Sequence, residues 1–371
     1  MQKELGKIIK NDIDTFPWRR VVQSGFLLMI LWIGIEFIIW VHQLEQGQTP
    51  TVSRPPGVEG FLPISALISL RYWILTGVFN TIHPSALVLL LIIMGTAVFL
   101  KKGFCSWVCP VGFLSDGLAW IHKKIFDRYL KLPRWIDYPL RSLKYLLMGY
   151  FVFAVFVQMN LFDLQKFIYS PYNRVADIKM LKFFAEMSAT TFWVLVTLTL
   201  LSIAIPYFWC RYLCPYGALL GPLSWLSPFK IRRNADTCID CEKCSKVCPA
   251  RINVHKAKTV RSDECHACLS CVAVCPVKDT LYLSAPKNKW KLTSKQYGYI
   301  LVGMFVVGST VAHLANRWQN SITDREYQHH IQNLNAPVYF HNRGQVADYP
   351  PERYIPQQEL KKSKKQENLH E

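Results

Sequence analysis

Five apolar blocks, Val21–Val41, Pro84–Leu100, Tyr145–Met159, Thr190–Pro206 and Tyr297–Ala315, recur along the chain. Each is close to the roughly 17–25 residues a helix needs to cross about 30 Å of hydrocarbon. With 51% hydrophobic residues beside 43 basic and 25 acidic ones, the chain has more apolar material than a soluble protein of this charge usually buries. The blocks therefore read as membrane helices, with spans at about 21–41, 84–100, 140–160, 189–206 and 297–315. Twenty residues precede the first block and no small-residue cleavage site follows it, so it is expected to be a retained helix and not a signal peptide.

A net charge of +18 raises the question of a nucleic-acid partner, and the placement of the charge answers it. With a cytoplasmic N-terminus, the inside segments 1–20, 101–144 and 207–296 hold 29 Lys/Arg and 12 Asp/Glu, whereas the outside segments hold 14 and 12. This is the positive-inside pattern of a membrane protein, and it explains the charge without a polyanion. The rather apolar stretch Phe61–Ile82 carries Arg71 in its middle. Burying that guanidinium near the bilayer centre costs at least about 2.5–3.5 kcal/mol. An interfacial or re-entrant helix fits better, punctuated by Pro55-Pro56-Gly57 and His83-Pro84.

All twelve cysteines fall into motifs. Cys238, Cys241, Cys244 and Cys248-Pro249, and again Cys265, Cys268, Cys271 and Cys275-Pro276, read C-x2-C-x2-C-x3-C-P, the run that binds two [4Fe-4S] clusters in bacterial ferredoxins. The fourth cysteine of each run serves the other cluster. One cluster is thus expected on Cys238, Cys241, Cys244 and Cys275, the other on Cys265, Cys268, Cys271 and Cys248. A zinc ribbon needs two pairs of ligands and not two runs of four, and disulfides need an oxidising compartment. Clusters exchange single electrons, and the direction of flow is not written in the spacing.

The other four cysteines form an internal repeat: Cys105-Ser-Trp-Val-Cys109-Pro110-Val-Gly112 and Cys210-Arg-Tyr-Leu-Cys214-Pro215-Tyr-Gly217 both read C-x3-C-P-x-G at the inner end of an apolar helix. Spacing i, i+4 predicts each pair on one helical face, before Pro and Gly turn the chain. Four thiols there suit a third redox or metal site: another iron–sulfur cluster, alternatively copper(I) or zinc. The bland alternative is cysteine used as a small buried residue.

With these motifs in view, residues 20–285 resemble the polytopic membrane ferredoxins of the NapH, NosR and CcoG type. The resemblance implies an electron carrier of the bacterial cytoplasmic (inner) membrane, working between the quinone pool and a periplasmic respiratory or maturation system. NosR-like members carry a large outer flavin-binding domain and CcoG-like members a terminal sandwich. The twenty residues before the first span and the 56 after Ala315 are too short for either, and the fifth helix and outer tail depart from the smaller NapH type, so a stand-alone NapH-like electron-transport protein is the expected type.

The expected architecture is a polytopic α-helical membrane protein of about five spans with a cytoplasmic α+β two-cluster ferredoxin-like domain. Its parts are a cytoplasmic segment 1–20, a membrane domain 21–229, the ferredoxin-like domain 230–290, a final span 297–315 and a polar, flexible periplasmic tail 316–371. Expected partners are membrane lipid, a redox protein and a quinol, with no nucleic acid. A copper-handling assembly factor using Cys105, Cys109, Cys210 and Cys214, or a redox sensor, are the alternatives. Glu36, with Trp40 and His42 beyond it, is either a proton acceptor or an interfacial group. His83 and His313 stand at outer span ends and are read as hydrogen-bonded, with a quinone pocket or haem pair as the alternative; His329, His330 and His341 are read as part of an exposed polar tail, with an outer metal site as the alternative. No C-x-x-C-H, Gly-rich phosphate loop, G-x-S-x-G or H-E-x-x-H occurs.

Overall fold

Helices fall on all five apolar blocks in the computed structural model, which describes residues 17–126, 132–286, 289–342 and 345–356. They are Pro17–Glu45, Pro84–Leu100, Arg134–Phe153 continued by a π-helical turn Ala154–Gln158, Ala189–Ala204 and Ser294–Leu314. Three segments, Trp18–Glu45, Trp135–Gln158 and Ser294–Leu314, are long and apolar enough to cross a membrane. A fourth joins them if Ala176–Ala185 and Ala189–Ala204, bent by 79°, form one broken span. Pro84–Leu100, at 17 residues, rises only about 25 Å. Leu28, Leu31, Trp32 and Ile35 on the first helix, and Val306, Val307 and Val311 on the last, are exposed. Such continuous apolar faces call for lipid as their solvent.

The Arg71 stretch forms the helix Pro63–Thr76, stopped by Gly77 in the left-handed conformation at φ +68°. Its 14 residues are too few to span about 30 Å. Arg71 Nη1 donates to the carbonyls of Val155 and Met159, capping oxygens at the end of the π-helical turn.

Two compact units divide the chain. The first comprises Met1–Met29, Ile92–Gly149 and Phe192–Val307, and contains every cysteine. Strands β1 (Lys230–Arg233), β2 (Leu281–Ser284) and β3 (Lys291–Leu292) form an antiparallel sheet in that order, with Lys230 opposite Ser284 and Leu283 opposite Leu292. Both ferredoxin-type runs lie between β1 and β2, so this pairing closes the loop that carries them. Ile231, Val254, Val260, Leu269, Leu281 and Leu283 pack beneath, with Trp107 and Tyr297.

The second unit, Ile30–Leu91, Tyr150–Thr191 and Gly308–Glu371, is built on Trp40, Leu44, Ile68, Tyr72, Leu164, Ile168, Tyr169, Ile178 and Tyr327. It corrects the expectation of a flexible tail over 316–342 and 345–356. Thr323 caps the helix Asp324–Gln332 by accepting from the Glu326 N–H, and Tyr327, Ile331, Leu334 and Tyr339 enter the core. Tyr327 and Ile331, spaced i, i+4 on this helix, and Leu334 in the turn after it are sparse apolar positions hidden among polar residues. Residues 1–16 and 357–371, most of the expected N-terminal segment and the end of the tail, lie outside the described residues.

Candidate functional site

The two ferredoxin-type runs fold alike. Asp240 and Glu242 in the first take φ of 48° and 58°, and their counterparts Ala267 and Leu269 in the second take 48° and 61°. Left-handed backbone at these non-glycine residues is costly locally, and it curls successive N–H groups into a cradle for negative charge. The N–H of Ala267 serves Cys265, those of Ala250 and Ile252 serve Cys248, and that of Val277 serves Cys275.

Cys238, Cys241, Cys244 and Cys275 line one small cavity, and Cys248, Cys265, Cys268 and Cys271 line another. Each run's fourth cysteine thus sits with the first three of the other. Burial pushes the Cys248 thiol up to about 12 and Cys271 well above the ordinary range. Thiolates held in such surroundings need a cationic core to offset the desolvation. Four sulfurs around an apolar cavity, with N–H groups aimed at them, fit an iron–sulfur cluster. Among the described residues, no three His, Cys, Asp or Glu stand close enough to hold a single metal ion.

The C-x3-C-P-x-G repeat departs from the single helical face expected of it. Cys105 sits in the five-residue helix Gly103–Trp107, and Cys109 follows the break. Cys210 lies in the π-helical turn Trp209–Leu213, and Cys214 caps the helix Pro215–Leu223. Both second cysteines therefore stand at helix N-termini opened by proline, where unpaired N–H groups point outward. Val111 and Gly112 donate to Cys109, and Tyr216 and Gly217 donate to Cys214. Any Cβ on Gly112 would overlap the Cys105 carbonyl, which explains the glycine of the first repeat. The four thiols interact electrostatically with one another, and Ser115 Oγ lies 3.4 Å from Cys210 Sγ. Burial pushes Cys109 up to about 11 and Cys210 up to about 12.

The first repeat is tied to the second ferredoxin-type run. Ser106 Oγ donates to the His266 carbonyl at 2.7 Å and Trp107 Nε1 to that of Ala267 at 3.1 Å. Cys105 thereby lies one residue from a hydrogen bond into the Cys265–Cys268 turn. Three lysines missed by the sequence reading, Lys101, Lys102 and Lys144, are fully buried here. Lys144 Nζ is 2.5 Å from Glu264 Oε1, and burial with the nearby lysines pushes His266 down to about 3. A cleft of about 520 Å³, lined by Arg141, Arg211, Lys246, Cys248 and Arg251 among others, opens beside the end of the first run.

The remaining candidates scatter through the second unit. Glu36 is half-buried, and His42 and His313 are exposed. Trp40 is buried and donates to Asp324. His330 is buried against the Tyr339 hydroxyl at 2.7 Å, while His341 packs on the Tyr172 ring. His83 belongs to a cluster that the sequence concealed. Arg54 bonds Asp177 at 2.6 Å and Glu59 at 2.9 Å, Ser85 bonds Glu59 at 2.5 Å, and His83 Nε2 meets the Asn173 carbonyl at 2.6 Å. All four charged or titratable members are buried, with Glu59 and His83 wholly inaccessible.

A membrane-type helical protein with cluster-shaped sulfur sites is the class these features define. Two family models match it: a "4Fe-4S binding domain" at residues 82–128 and 188–234, over the two repeats, and a "4Fe-4S dicluster domain" at 230–276. YccM of Escherichia coli (strain K12), whose name assigns it to electron transport, is 41% identical over 343 residues, 91% of this chain and 95% of the relative. The ferredoxin-type protein NapH of Haemophilus influenzae is 27% identical over 62% of this chain and 74% of its own length. Protein NirI of Paracoccus denitrificans is 26% identical over 62% of this chain and 31% of its own length. The chain belongs to the NapH-like family of membrane-associated 4Fe-4S ferredoxin-type proteins. No solved structure matches it.

Proposed function

We propose that this protein relays single electrons through three sulfur sites held in one compact unit, between a quinol pool or membrane partner and a redox protein. The observation that carries this reading is the joint between the sites: Ser106 and Trp107 of the first repeat hydrogen-bond the turn that contains Cys265 and Cys268. In this reading the ligand sets are Cys238, Cys241, Cys244 and Cys275; Cys248, Cys265, Cys268 and Cys271; and Cys105, Cys109, Cys210 and Cys214. A [4Fe-4S] cluster, when bound, supplies reversible uptake and release of one electron.

The chain's own residues do the rest. Backbone N–H groups donated to Cys109, Cys214, Cys248, Cys265 and Cys275 favour added negative charge and so bear on potential. The apolar linings keep water from the sulfurs, and the cleft beside Cys248 gives a redox partner its approach. The charge bias across the apolar blocks supports five spans in the bacterial cytoplasmic membrane, with the N-terminus and ferredoxin-type segment inside and the tail outside.

Anaerobic purification with iron and sulfide counts and EPR tests the reading. About twelve irons per chain are expected, falling to about eight in a Cys105→Ala/Cys210→Ala variant. A count of about eight in well-loaded wild type, unchanged by those substitutions, overturns the third site.

A further inference from the structure

The geometry points to Lys102 as a positioning residue whose buried positive charge couples the repeat site to the Cys265 site and sets their reduction potentials. The inference rests on the three-site reading above. Lys102 is 1% exposed, three residues ahead of Cys105. Its Nζ donates to the Gly217 carbonyl at 3.2 Å and lies 3.9 Å from Glu264 Oε2. One ammonium therefore touches three segments: its own repeat, the glycine of the other repeat, and the residue preceding Cys265.

The charge balance around it is unusual. Lys101, Lys102 and Lys144 are all buried within this region. Lys101 Nζ donates to the Ser262 carbonyl at 3.0 Å, and Lys144 takes one oxygen of Glu264. Glu264 and the neighbouring Asp263, which accepts from the Tyr145 hydroxyl, are the carboxylates at hand. Three buried cations facing two carboxylates leave positive charge, and a buried charge is tolerated where an opposite one offsets it. Thiolate sets lie on both sides: Lys102 interacts favourably with Cys105 and Cys214 of the repeats and with Cys265 of the run. An ammonium between two anionic centres stabilises the reduced form of each and weakens their mutual repulsion, so an electron placed on one is less opposed by charge on the other. Arg at this position would keep the charge. Gln or Met would keep only length.

The test compares Lys102→Gln and Lys102→Arg in the full-length protein, measuring iron and sulfide content and EPR-monitored redox titration of each signal. Expected is a fall of about tenfold in the reduction equilibrium of both sites in K102Q, about 59 mV for a one-electron couple, with K102R close to wild type. Loss of iron in K102Q with full loading in K102R likewise supports a role for the charge. Unchanged potentials in fully loaded K102Q, the same shift in K102R, or loss of iron in both variants overturns the inference. The wild-type iron count decides the three-site reading separately, so failure of that reading and failure of the inference are told apart.

Discussion

The two units bury charge for different ends. In the first, eight of the twelve cysteines line two small cavities, and three buried lysines bond Ser262, Gly217 and Glu264 beside the cysteine motifs. In the second, no cysteine occurs, yet Arg54, Glu59, Asp177 and His83 are buried as deeply and satisfy one another directly. A cluster in which every charged group already bonds another member is a framework device. An incomplete one beside a sulfur-lined cavity is built to receive something. What separates a structural charge cluster from a functional one is therefore where the unmatched charge points.

Breaking the closed cluster gives the largest effect on stability. Arg54→Met strips the buried carboxylates of Glu59 and Asp177 of their shared guanidinium and is expected to cost about 3–5 kcal/mol, read from denaturant melting in detergent, while the iron count of loaded protein stays at the wild-type value. Loss of iron at unchanged stability would erase the distinction between the units.

Within the first unit, the two motif glycines should differ. Gly112→Ala forces a Cβ into the Cys105 carbonyl, and overpacking of this kind costs about 1–3 kcal/mol. It is expected to lower iron loading of the repeat site. At Gly217 the nearest atom is 3.8 Å away, so Gly217→Ala should change stability by no more than about 1 kcal/mol and leave loading intact.

The smallest effect is the acid dependence of the second unit. Burial alone would raise the Glu59 carboxyl, but Arg54, His83 and Ser85 together hold it below the ordinary carboxylate value. A depressed folded-state value means the contribution is full above about pH 4.3 and declines as pH falls further towards the folded value. Melting followed at the buried Trp40 should show a flat stability above that point and a decline below it, and E59Q should lose the slope.

The grouping of the ferredoxin-type cysteines was legible because spacing alone carries it: C-x2-C-x2-C-x3-C-P is a local pattern, and local patterns survive in one dimension, whereas the C-x3-C-P-x-G spacing did not reveal the helix breaks within it. The helix positions were legible for the same reason, through runs of apolar residues. The buried lysines were not, since Lys101-Lys102 at the end of an apolar block reads as an ordinary charged helix flank. Its burial depends on Glu264 and Gly217, more than a hundred residues away. Arg54 and Asp177 are separated by 123 positions and were invisible for that reason. Polarity likewise masked the fold of 316–342 and 345–356, where the sparse apolar positions Tyr327, Ile331 and Leu334 outweigh the Gln and Asn around them.

The bond from Ser106 to the His266 carbonyl joins positions 160 residues apart. Ribosomes add about 5–20 residues per second, so the turn bearing Cys105 emerges roughly ten to thirty seconds before the segment that will hold it. For that interval Cys105 and Cys109 are without the neighbours that later surround them. Closure of the joint between the first repeat and the second run is thereby timed by translation: it must wait for the last of its surroundings to be made.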